Sequence, residues 1–72
     1  MEDKRNLYFE RSNGEIILLA SNIGKEEVYQ EIQKFLDKHH YKSYYTREWE
    51  CDGVRHYDVG SHTEFFLWTN KF

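Results

Sequence analysis

Two dipeptides, Asn13-Gly14 and Asp52-Gly53, constrain this chain more than any other feature, because each lies between runs rich in aliphatic, aromatic and β-branched residues. Both pairs accept the positive φ angles that a two-residue type I′ hairpin turn requires, so each marks a reversal between antiparallel strands. At the first, a two-residue loop pairs Ser12 with Glu15 and, counting outward, Phe9 with Leu18 and Leu7 with Ala20. That face is predicted to be the core side. The opposite face pairs Tyr8 with Leu19 and Glu10 with Ile17. It is too apolar for a solvated surface and too polar for a deep interior, which makes it a candidate interaction surface. At the second turn, two-residue pairing sets Glu50 opposite Arg55 and Arg47 opposite Asp58, complementary charges worth ~0.2–1 kcal/mol per pair.

Between the hairpins the apolar period changes. From Gly24 to about His40, Val28, Ile32, Phe35 and Leu36 fall at i, i+4, i+7 and i+8, the spacing of an amphipathic helix. Ile23 and Val28 fit a hydrophobic staple around a Gly24 cap. Glu26 and Glu27 suit the positive end of the helix dipole, and Lys38, His39 and His40 the negative end. Strands are predicted over Ser43 to Cys51 and Val54 to Val59, with Gly60-Ser61 breaking the run. Thr63 to Thr69 reads as a last strand with Phe65 and Leu67 on one side and Phe66 and Trp68 on the other, which suits a central strand or a buried terminus. The expected fold is α+β, a single domain over residues 1–72 in the order β-β-α-β-β-β, with one helix packed on a mostly antiparallel sheet.

With 72 residues the chain holds one core, and a domain this small buries only ~60% of its unfolded surface. A single cysteine, Cys51, excludes an internal disulfide, so core weight must come from the aromatic residues, 18% of the chain. Any aromatic surplus would form an exposed, anchor-rich surface. A net charge of −3, with acidic and basic residues interleaved, disfavours nucleic acid and anionic membranes as partners. No apolar run approaches the ~20 residues of a membrane span. The start, Met1-Glu2-Asp3-Lys4, lacks the basic-then-apolar order of an export signal. The expected location is the cytoplasm.

Catalytic and metal chemistry find little footing. Cys51, His56, Asp58 and His62 form the densest group of ligand-type residues, and a hairpin could bring Cys51, His56 and Asp58 onto one face. They lack paired ligand spacing, however, and the adjacent His39 and His40 would point apart on a helix. The expected place of His56 is beside Trp49. A nucleophilic Cys51 would need a cleft and a lowered thiol pKa, and a carboxylate pair such as Asp58 and Glu64 acquires a role only from its surroundings. Gly60-Ser61-His62 lacks the glycines, lysine and following helix of a phosphate loop. The residues therefore point away from an enzyme and imply no cofactor.

The closing stretch Tyr57-Asp58-Val59-Gly60-Ser61-His62-Thr63-Glu64-Phe65-Phe66-Leu67-Trp68 resembles the C-terminal signature of small proteins encoded by phages and prophages of Gram-positive bacteria. The resemblance covers this stretch alone and implies no functional residues. It implies a setting, the cytoplasm of a bacterial host, in which short accessory proteins often inhibit or sequester host factors, including components of anti-phage defence.

Three functions are open at this point. The first is stoichiometric binding of a host protein, with Tyr8, Ile17, Leu19, Tyr44, Tyr45, Trp49 and Trp68 as contacts. The second is a sponge for a small nucleotide, with a homo-oligomer supplying depth, an aromatic ring stacking on the base, and Arg47, Trp49, Arg55 and His56 as the site. A small metal-binding domain is the third.

Overall fold

A computed structural model describes residues 3–39, 46–60 and 64–72. The chain runs β1 (Lys4–Glu10), β2 (Ile16–Gly24), α1 (Lys25–His39), β3 (Arg47–Cys51), β4 (Val54–Asp58) and β5 (Phe65–Thr69). This is the expected α+β order. The strands form one antiparallel sheet in the order β2-β1-β5-β4-β3. Both hairpins thus flank β5, which has apolar residues on both faces because it is the central strand.

Cross-strand register explains which side chains meet. Ile17, Phe9, Phe66, Tyr57 and Glu48 stand in one row across all five strands, and Ala20, Leu7, Trp68, Arg55 and Glu50 in the next row on the same face. α1 covers this face with Val28, Ile32 and Leu36, which join Leu7, Phe9, Tyr57, Phe66 and Trp68 in the core. Ile23 and Val28 are both buried there, as a staple requires. The Gly24 N–H donates to Glu27 Oε1 at 3.4 Å, the reach-back half of a capping box. On the other face, which α1 leaves open, the corresponding row is Leu18, Tyr8, Leu67, His56 and Trp49.

The second hairpin has the expected turn. Asp52 (φ 53°) and Gly53 (φ 78°) both adopt positive φ, and Cys51 pairs with Val54, Glu50 with Arg55 and Arg47 with Asp58. The first hairpin differs from expectation. Only Gly14 (φ 89°) is left-handed, the Gly14 N–H donates to the Arg11 carbonyl at 2.9 Å, and the Arg11 N–H donates to the Glu15 carbonyl at 2.8 Å. That is a three-residue loop ending in a glycine bulge. The register therefore slips by one: Phe9 faces Ile17 and Tyr8 faces Leu18. A bulge between Leu7 and Tyr8 restores the expected Leu7–Ala20 pair beyond it.

Candidate functional site

The slipped register decides what the sheet presents at its outer edge. Among the described residues β2 pairs only with β1, and it has no charged side chain from Ile16 to Gly24. Ile16 (41% exposed) and Leu18 (54%) lie on the open face, while Ile17 (37%) lies on the helix face. Backbone polarity follows from the turn. Because Arg11 and Glu15 form a hydrogen-bonded pair, the antiparallel alternation makes Phe9 and Ile17 the next such pair. The N–H and C=O groups of Ile16 and Leu18 then point away from the sheet. Past Leu18 the two register shifts twist the strand, and Asn22 takes a left-handed φ of 56° with its N–H bonded to Asn6 Oδ1. The unprotected part of the edge is thus short and regular.

Beside it lies a groove of about 410 Å³ between the end of α1 and the β1–β2 hairpin. Phe9, Ile17, Leu19 and Phe35 supply its apolar floor, and Arg11, Lys38 and His39 its basic rim. The His39 ring packs against Phe35 at 4.3 Å, its plane tilted by 37°. Among the described residues no carboxylate lines the groove, and neither Arg11 nor Lys38 forms an ion pair.

At the opposite edge, β3 places its charges differently. Arg47 bonds to the fully buried carboxylate of Asp58 at 2.8 Å, and the other oxygen of Asp58 accepts the Gly60 N–H at 2.9 Å. Glu48 takes Arg55 at 3.1 Å. Glu50 is reached by Arg5, at 3.0 Å, although Arg55 is its register partner. The Arg5 guanidinium arrives there by crossing the Trp68 ring at 4.5 Å. Its bonds to Asp3 and Glu50 hold the Arg5 pKa above the usual arginine value, and the same contact lowers that of Asp3. Burial pushes the Tyr57 pKa up to about 12, with help from the negative charge of Glu48. Burial and a hydrogen bond to Glu48 raise that of Tyr29.

The expected contact residues are dispersed. Tyr8 is on the open face but buried, with Phe72 edge-on at 5.2 Å. Ile17 and Leu19, expected on the open face, line the helix-side groove because of the register slip. Trp68, expected at a surface, is a core residue whose indole N–H donates to the Ile23 carbonyl at 3.1 Å. Trp49 is exposed, and Tyr44 and Tyr45 lie outside the described residues. Of the nucleotide set, Trp49 stacks on His56 (5.1 Å, 8° between planes), and Arg47 lies 5.9 Å from the Trp49 ring. Arg55 is on the opposite face of the sheet, in the Trp68 row, and does not join them. His56 takes the place beside Trp49 that its position predicted.

Cys51 is exposed, with Sγ 3.9 Å from Asp52 Oδ2, and among the described residues no three His, Cys, Asp or Glu side chains converge as metal ligands. His40 and His62 lie outside those residues. No helix among them is long and apolar enough to cross a membrane. Ile16, Leu18, Arg11, Lys38 and His39 were not expected as site residues. The signal for the first two was present in Ser12-Asn13-Gly14, which serves a three-residue loop with a left-handed glycine as well as a two-residue one. Comparison with protein families, curated proteins and solved structures finds no match to this chain.

Proposed function

We propose that this chain is a non-enzymatic protein-binding module that engages a partner through the β2 edge. The observation that carries the proposal is the run Ile16-Ile17-Leu18, three consecutive exposed aliphatic residues on an uncharged edge strand. Such an edge is a template for an added strand, and folded proteins ordinarily block it with charge, proline or brevity. Keeping it open costs solubility, which makes sense where the edge has an occupant. In the phage or prophage setting implied by the C-terminal stretch, that occupant is a host protein, held stoichiometrically and so inhibited or sequestered.

Capture from Gram-positive host lysate with three baits tests this. The wild type and Trp49→Lys should retain the same host protein in similar amount, while Ile16→Lys/Leu18→Lys should lose it while still unfolding cooperatively within about 8 °C of the wild type. Loss on Trp49→Lys alone would move the site to the other end of the sheet. There the parallel Trp49–His56 stack with Arg47 nearby favours a second use, stacking on a small nucleotide. A panel of nucleotides should then raise the melting temperature.

A further inference from the structure

The chemistry of the edge and its groove restricts what can occupy them. We infer that β2 takes an extended segment of another protein in which apolar residues alternate with carboxylates. This rests on the protein-binding function proposed above and adds the class of partner.

Backbone geometry comes first. The outward N–H and C=O groups of Ile16 and Leu18 can form a short antiparallel ladder with one added strand, and the bulges past Leu18 end that ladder. Side chains of an added strand alternate between the two faces. Those on the open face meet Ile16 and Leu18, which are apolar and more than a third exposed, so apolar partners fit there. Those on the helix face lie along the groove, whose floor is Phe9, Ile17, Leu19 and Phe35 and whose rim is basic. A glutamate suits that position, with its methylenes on the floor and its carboxylate at Arg11 and Lys38. The chain as a whole is acidic, at −3, so a local basic rim with no carboxylate among the described lining residues selects by sign.

The same charges disfavour a second copy of this chain. To pair the outward groups of Ile16 with those of a second Leu18, a two-fold axis must pass through Ile17. Both sets of Arg11 and Lys38 would then gather around one axis, and like charges facing each other oppose association.

The test uses the full ¹⁵N-labelled chain and two capped hexapeptides, one alternating Val with Glu and one alternating Val with Lys. The acidic peptide should shift the amide signals of Ile16 and Leu18 and bind about five- to tenfold tighter than the basic one, with the gap closing as salt is added. Arg11→Glu/Lys38→Glu, which alters exposed side chains, should reverse the preference. Equal binding of both peptides would overturn the acidic class while leaving the β2 edge as the docking element. Failure of the acidic peptide to perturb β2 would overturn the inference outright. So would a dimer in sedimentation that Ile16→Lys/Leu18→Lys abolishes, since the occupant would then be a second copy. Loss of host-protein capture in that double variant reports on the edge independently of the peptide result.

Discussion

The two edges of the sheet, β2 and β3, are built on opposite rules. β3 is five residues long, and its Arg47, Glu48 and Glu50 are each tied inward, to Asp58, Arg55 and Arg5. A strand approaching β3 would meet charge and would have to compete with ion pairs already made. β2 is nine residues long with no charged side chain, and three neighbouring aliphatics at its start are exposed. A chain this small could have closed both edges with the same devices. It closes one and leaves the other open, and the proposed docking at β2 rests on that contrast.

Removing what the edges share should have the largest effect. Trp68→Ala deletes the largest fully buried side chain, from the central strand, and should cost ~3–5 kcal/mol, most of the stability of a small domain. The expected result is loss of the thermal unfolding transition by circular dichroism. A folded Trp68→Ala variant would mean that Trp68 is not the common support of the two edges.

Asp58→Ala attacks the closed edge alone. It leaves the Gly60 N–H and Arg47 without their shared carboxylate and should cost ~1–3 kcal/mol in urea denaturation. Arg47→Ala, at an exposed side chain, should cost less than about 1 kcal/mol. If both cost the same, the β3 edge is held by the surface ion pair and not by the buried acceptor.

Alkaline pH probes the same side of the molecule through Tyr57. Its folded pKa of about 12 exceeds its usual value of 10.0, so folding favours the neutral phenol. That contribution is complete below pH 10 and is lost as the pH rises toward 12, with a slope of at most about 1.4 kcal/mol per pH unit. Among the described residues the Tyr57 hydroxyl is buried with no partner at good hydrogen-bond geometry, and the nearby Arg55 guanidinium offsets only part of the effect of burial. Tyr57→Phe should therefore leave neutral-pH stability equal or slightly higher and flatten the slope. Marked destabilisation by Tyr57→Phe would show that the hydroxyl is bonded after all.

The smallest stability change belongs to the open edge. Ile16→Lys/Leu18→Lys should shift unfolding by no more than about 0.5 kcal/mol per site, because these side chains are exposed. A loss of several kcal/mol would place Ile16 and Leu18 in a core and remove the contrast between the edges.

The fold was legible where local chemistry and tertiary structure agree. The helix, its cap and staple and the Asp52-Gly53 turn follow from periodicity and turn residues, whereas the two apolar faces of the last strand suit a central strand and a buried terminus equally, and the strand order decides between them. The site was not legible, because it depended on one hydrogen bond in the first turn. Asn13-Gly14 serves either loop length, and a slip of one residue moves Ile17 and Leu18 to opposite faces. The bulge past Leu18, which restores the expected Leu7–Ala20 pair, has no signature among Leu18, Leu19 and Ala20. The Arg5–Glu50 contact was likewise hidden, since it spans the sheet over Trp68 and register alone assigns Glu50 to Arg55. Trp68 could be placed as a core residue only once β5 was known to be central.

Amide hydrogen exchange on the ¹⁵N-labelled chain, free and bound to its captured partner, tests the difference between the edges most directly. The Ile16 and Leu18 amides should exchange fast in the free protein and slow by orders of magnitude in the complex, while the amides of Arg47–Cys51 stay unchanged. Protection gained along Arg47–Cys51 with Ile16 and Leu18 unaffected would contradict the assignment of β2 as the docking edge.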